Sequence, residues 1–286
     1  MRTPRDVVGP VLALTFALAS GPARADLPQI RESPAASVAL DVGVTHLRVD
    51  YHRPGKKGRE LWGKLVPYGK VWRAGANEAT TVTFSDPVKV DGHDVPAGTY
   101  ALFLLPAEGK WTFILSKQAK IWGAFEYSDK EDVARVAVTP TSGPPVEWMR
   151  FDLSPTSDHG ALVELAWDTV RVAMPVEVDV PGIYKKVLLD AIAKADPKDP
   201  ASTRTYLTAA SYYTKENLDP AQALKWADTA LSLKEGLWTL EAKGDALSKL
   251  GRGKEARPLY EKALKLAGEM PAEYTNKLKA KIAAAK

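Results

Sequence analysis

The run Val170-Arg171-Val172-Ala173-Met174-Pro175-Val176-Glu177, followed through Pro181-Gly182 by Ile183-Tyr184-Lys185-Lys186-Val187-Leu188-Leu189-Asp190-Ala191-Ile192, marks the chain's main change of character. Before Pro181, Val170, Val172, Met174 and Val176 alternate with Arg171, Ala173, Pro175 and Glu177, the two-residue period of a half-buried strand. Pro175 falls on the outward phase, which suits an edge position or the strand's end. After Gly182, Tyr184, Val187, Leu188, Ala191 and Ile192 recur at three and four residues, the stripe of an amphipathic helix. The pattern therefore predicts a β domain over residues 37–180 and a helical one over 181–286.

Working upstream, strands read at Val38–Val42, Leu47–Tyr51, Thr80–Phe84, Tyr100–Leu105, Trp111–Leu115, Val133–Val138, Trp148–Leu153 and Leu162–Trp167. Turn signals stand between them: Asp91-Gly92, Pro96-Ala97-Gly98, Glu108-Gly109, Ser142-Gly143-Pro144-Pro145 and Asp158-His159-Gly160. Asp91-Gly92 is the strongest, because glycine accepts the positive φ of a tight hairpin. About nine short strands without intervening helices predict an antiparallel β-sandwich, with a closed barrel as the alternative.

At the amino terminus, Met1–Arg5 is basic, Val7–Ala19 is largely apolar, and Ala23-Arg24-Ala25 places small residues where signal peptidase cuts. A signal peptide over residues 1–25 is expected, with cleavage after Ala25, a linker over 26–36 and an exported product, periplasmic or secreted. Thirteen residues rise only ~20 Å as a helix, short of the ~30 Å hydrocarbon layer, so no membrane span is expected after cleavage. The chain has no cysteine, which removes disulfides, thiolate metal sites and a lipoprotein anchor. Net charge is −4 over residues 26–180 and +6 over 181–286. The tail's lysines are scattered rather than blocked, the pattern of a solvated face, and nucleic acid is not an expected partner.

One segment breaks the strand rhythm. Residues 50–78 are rich in glycine, proline, arginine, lysine and large aromatics, with seven basic residues and one acidic residue between Arg53 and Arg73. Such a patch attracts carboxylates or phosphates, which arginine engages bidentately. Trp62, Tyr68 and Trp72 add flat apolar surfaces suited to a sugar ring or planar ligand. Tyr51-His52-Arg53-Pro54, Lys57-Gly58-Arg59, Leu65-Val66-Pro67-Tyr68-Gly69 and Val71-Trp72-Arg73-Ala74-Gly75-Ala76-Asn77-Glu78 closely resemble the signature of the DUF2911 family. Pro96-Ala97-Gly98-Thr99-Tyr100, Leu102-Phe103, Trp111 and Trp167 match the rest of its pattern, so the resemblance covers roughly residues 35–178. It implies kinship to a domain of unknown function and supplies no activity. His52 departs from the pattern, where Ser is more usual, which weakens a catalytic role for it.

Arg53, Arg59, Tyr68, Trp72, Arg73, Asn77 and Glu78 form the expected ligand-binding set. A structural reading stands beside it: Trp72 and Tyr68 capping the core, the arginines pairing with Glu60, Glu78 or Asp50, and Asn77 satisfying a turn. No phosphate loop, Gly-x-Ser-x-Gly elbow or His-Glu-x-x-His helix occurs, and His46, His52, His93 and His159 lack ligand spacing. No metal or cofactor is expected. His93 and His159 fall in turn segments, and Glu78 with His52, assisted by Arg73, is the one constellation suited to hydrolysis.

In the tail, Ala223, Ala230 and Leu231 recur 33 residues later as Ala256, Ala263 and Leu264, and Leu207 as Leu240. The stretch 237–268 resembles a tetratricopeptide repeat through Gly244, Ala256, Tyr260 and Ala263. The first copy carries Ser211 and Ala227 where glycine and an aromatic are usual. So few copies predict docking on the β domain or on capping helices. The leading expectation is an exported binding protein, with a small anionic or sugar-like ligand on the β domain and a protein partner on the tail. A periplasmic hydrolase using Glu78 is the alternative.

Overall fold

In a computed structural model, which describes residues 30–286, the alternating run is the second half of one long strand. The expected leader, its cleavage site and the start of the linker lie outside the described residues. The strands run β1 (Ala35–Val42), β2 (Thr45–His52), β3 (Thr81–Phe84), β4 (Val88–Val90), β5 (His93–Val95), β6 (Gly98–Leu105), β7 (Trp111–Ser116), β8 (Asp132–Val138), β9 (Thr141–Ser157) and β10 (Gly160–Glu177). They pair antiparallel into a six-stranded sheet, β1-β2-β3-β6-β7-β8, and a four-stranded sheet, β5-β4-β10-β9. Leu47, Val49, Phe84, Leu102 and Leu104 of one sheet share a core with Met149, Phe151, Leu165, Met174 and Val176 of the other, as in a sandwich.

Four local expectations need correction. Leu162–Trp167 and Val170–Val176 are one strand, bulged around Asp168, which sits at φ 49°. Ser142-Gly143-Pro144-Pro145 lies inside β9 rather than at a turn. β9 is an edge strand and its register shifts there, so two prolines without N–H groups interrupt no central ladder. Asp91 and Gly92, at φ 47° and 79°, do form a tight hairpin, but it joins β4 to β5, two strands too short for a readable alternation. His93 therefore begins a strand. Pro175 belongs to an internal strand, yet β9 pairs with β10 only as far as Arg171 and β4 begins pairing at Val176. The proline sits where the missing donor has no partner to serve.

The irregular segment crosses one end of the sandwich. It starts on the smaller sheet, where Lys56 donates its N–H to Glu147 O at 2.8 Å and Met149 donates to Pro54 O at 3.0 Å. It reaches the larger sheet at Trp72, which exchanges backbone hydrogen bonds of 2.7 and 2.8 Å with Leu104, beyond the end of β3. Four indoles hold it in place. Trp62 meets Trp111, Trp167 and Trp72 edge-on at 4.7, 5.8 and 6.0 Å, and Trp72 stacks on Trp167 at 5.9 Å and 18°. Leu61 and Val66 enter the same core.

Six helices follow: α1 (Val180–Lys194), α2 (Thr203–Lys215), α3 (Pro220–Leu233), α4 (Leu237–Lys249), α5 (Gly253–Leu266) and α6 (Ala272–Ala284). Asp179 caps α1 by accepting from Gly182 N, and Asp219 caps α3 by accepting from Gln222 N. The repeat copies are the pairs α2–α3 and α4–α5. Gly244 makes the second pair possible: a Cβ there would lie 2.5 Å from the Tyr260 ring. In the first copy Ser211 and Ala227 exchange that bulk, and Tyr213 against Trp226, edge-on at 4.7 Å, fills the pair instead. α6 caps the array. Its Lys281 donates to Glu241 and Asp245 of α4 at 2.8 and 2.7 Å, and its Tyr274 donates to Glu241 at 2.5 Å. Toward the β core the tail contributes Val180 and Ile183, from the start of α1.

Four substitutions test these contacts. Gly244→Ala lowers stability by about 1–3 kcal/mol in chemical denaturation, and in the double variant with Tyr260→Ala the total loss is smaller than the sum of the two single losses because the clash disappears. Trp62→Ala costs about 3–5 kcal/mol and removes the near-ultraviolet circular dichroism of the indole cluster. Tyr68→Ala, at a ring left 40% exposed, costs under about 1 kcal/mol.

Candidate functional site

The structure divides the expected ligand-binding residues among different tasks. Arg53 donates from Nε to Met149 O at 2.9 Å and ties the segment to β9. Arg59 closes its own turn, donating to Lys56 O at 3.0 Å and Gly55 O at 2.6 Å. Both guanidiniums spend donors on backbone carbonyls, Arg59 within the segment itself and Arg53 on the neighbouring strand β9. Tyr68 lies on another turn, its ring beside Gly63. Trp72 belongs to the indole cluster and donates from Nε1 to Gly75 O at 3.2 Å. Asp50 pairs with Arg48 at 2.6 Å, rather than with an arginine of the segment.

Arg73, Asn77 and Glu78 stay together on the loop that leads into β3. The loop is closed by Thr80 N donating to Arg73 O at 3.3 Å and by Thr80 Oγ1 donating to Ala74 O at 2.9 Å. Ala74 and Asn77 hold φ values of 49° and 59°, conformations that cost energy outside glycine. Asn77 donates to Ser33 O at 3.4 Å, a carbonyl 44 residues away rather than one of its own turn. Gly75 runs against β2, where a Cβ would lie 3.2 Å from His52 O. The loop thus brings Glu78 to His52, with Oε2 3.5 Å from Nδ1, although the two come from separate segments.

Arg73 differs from the other two arginines. Its Nε is buried and has no hydrogen-bond partner, and among the described residues no carboxylate pairs with its guanidinium. Burial pushes its pKa below the ordinary arginine range, because a charge leaving water without a counter-charge is disfavoured. A desolvated cation of this kind favours an incoming anion.

Beside it lies a stretch that the sequence reading passed over. Residues 117–128 cover the outer face of the six-stranded sheet, where Ile121, Ala124 and Tyr127 pack on Ala79, Ala101, Phe103 and Ile114. Tyr127 donates to Asp132 at 2.7 Å, and its hydroxyl pKa is pushed up to about 12 by burial and by that carboxylate. With residues 121, 124 and 127 inward, Trp122 and Phe125 turn outward, 55% and 87% exposed. Trp122 bridges the backbone of Glu78, and Gly123 stands next to Arg73. Two large aromatics flanking a glycine were the available signal, but between strands they read equally as core.

The tail offers a second surface. A cavity of about 680 Å³ opens among α2, α4, α5 and α6, lined in part by Ser211, Thr214, Asp245, Ser248, Tyr260 and Lys281. Tyr260 donates to Asp245 at 2.9 Å, and the Thr214 hydroxyl is buried without a partner. Among the described residues no three His, Asp or Glu side chains gather as metal ligands, and no helix is long and apolar enough to cross a membrane.

The family model described as "Protein of unknown function (DUF2911)" matches residues 33–176. No curated protein and no solved structure matches the chain. The match takes in the indole cluster, the loop carrying Arg73 and Glu78, and the aromatic stretch beside them, while the helices of the tail lie beyond it. The chain belongs to the DUF2911 family.

Proposed function

We propose that this chain is an exported binding protein whose β domain holds a small anionic ligand at Arg73 and whose helical tail contacts a protein partner. Export rests on the three-part leader pattern of residues 1–25. The partner-binding role rests on the cavity among α2, α4, α5 and α6. The single observation that carries the ligand reading is the Arg73 guanidinium, half-buried with no counter-charge among the described residues. A structural arginine would be expected to spend its donors as Arg53 and Arg59 do.

A second reading, a hydrolase with Glu78 as base, is favoured by one distance, the 3.5 Å between Glu78 and His52. Turnover of a bound compound by the wild type, abolished in Glu78→Gln, would establish it.

An arginine retained for a ligand costs stability when the ligand is absent. Arg73→Met therefore leaves the ligand-free melting temperature unchanged or raises stability by up to about 1 kcal/mol. Small carboxylates and phosphates raise the melting temperature of the wild type and not of the variant. A large loss of stability in ligand-free Arg73→Met, with no anion-dependent shift in the wild type, would make Arg73 a structural residue.

A further inference from the structure

We infer that the ligand of the Arg73 site is an acidic sugar, a pyranose ring bearing a carboxylate; this rests on the reading of Arg73 as an anion anchor. The inference comes from what surrounds the guanidinium. Gly123, at φ +70°, lies between the two: a Cβ there would stand 3.0 Å from the Phe125 ring and 3.4 Å from Arg73 Nη1, closer than a side chain is normally packed. The cation and the ring therefore flank the same glycine. Phe125 is 87% exposed, yet its loop is held firmly. Ile121, Ala124 and Tyr127 anchor it to the sheet, Gln118 Nε2 donates to Glu126 O at 2.8 Å, and Ser128 N donates to Gln118 Oε1 at 2.7 Å. The ring is presented to solvent by a braced loop, and Trp122 beside it is 55% exposed. Flat aromatic surfaces of this kind take the apolar C–H face of a sugar.

The polar neighbours narrow the class. The Glu78 carboxylate is 45% exposed, on the strand-like bridge that joins it to Trp122, with His52 behind it. A carboxylate is an acceptor for hydroxyl donors and repels a second anion. A bare inorganic anion would use Arg73 and leave the rings idle. An aryl carboxylate would use Arg73 and Phe125 and face Glu78 without a hydroxyl to offer it. A neutral sugar would use the rings and Glu78 and leave the desolvated guanidinium uncompensated. A uronic acid engages all three: carboxylate on Arg73, ring face on Phe125 or Trp122, hydroxyls on Glu78.

Calorimetric titration of the full chain with methyl β-glucuronide, methyl β-glucoside, propionate and benzoate tests this, using wild type, Arg73→Met and Phe125→Leu. The glucuronide is expected to bind at least about tenfold more tightly than the other three, because each of them lacks at least one set of contacts. Phe125→Leu is expected to weaken the glucuronide about fivefold more than propionate, through loss of ring stacking. Arg73→Met removes binding of all three acids. If propionate, benzoate or the glucoside binds wild type as tightly as the glucuronide, the acidic-sugar assignment is overturned; an Arg73-dependent propionate signal then leaves the anchor reading standing. If no anion binds in an Arg73-dependent way, both fail.

Discussion

Four indole rings hold the irregular segment across the end of the sandwich, and the candidate site depends on that attachment. Residues 53–80 have little regular hydrogen bonding of their own, so the chain is located by side-chain burial at Trp62 and Trp72 against Trp111 and Trp167. Each indole buries a large apolar area, and the edge-on geometry adds specificity to that burial. Once Trp72 is seated and paired with Leu104, the next residue, Arg73, is carried to the outer face of the six-stranded sheet. The loop that follows can then return to β3 only through the strained conformations at Ala74 and Asn77.

The same attachment sorts the arginines. Arg59 donates to the segment's own carbonyls at Gly55 and Lys56, and Arg53 donates across to Met149 O of β9, so both spend their donors on backbone. Arg73 lies past the point where the segment rejoins the sheet, where the carbonyls already have partners. Its guanidinium is left over. Within the basic patch seen in composition, Arg53 and Arg59 hold backbone and Lys56 pairs with Asp168, while Arg73 has no carboxylate partner among the described residues.

The tail follows a different logic. Each helix pair is held by small residues that admit a ring, Gly244 under Tyr260 in the second copy, with Tyr213 and Trp226 supplying the bulk of the first. Two copies leave the α4 carboxylates Glu241 and Asp245 without a following repeat, and α6 covers them through Lys281 and Tyr274. Lys281 keeps its proton despite burial because both carboxylates lie within hydrogen-bonding distance.

Much of the architecture was legible in the sequence because it rests on local periodicity. The change from a two-residue to a 3.6-residue rhythm after Pro181 marks where strands give way to helices, Asp91-Gly92 marks its hairpin, and the 33-residue recurrence marks the helix pairs. The unusual character of residues 50–78 was equally plain. What composition could not do was separate Arg73 from Arg53 and Arg59, or show that Trp72 serves the core while Trp122 and Phe125 face solvent. Those roles depend on which carbonyls lack partners and which rings meet across two sheets, contacts between residues up to about a hundred positions apart. Only the tertiary structure decides them, because hydrogen-bond satisfaction and burial are properties of the assembled fold and not of any window along the chain.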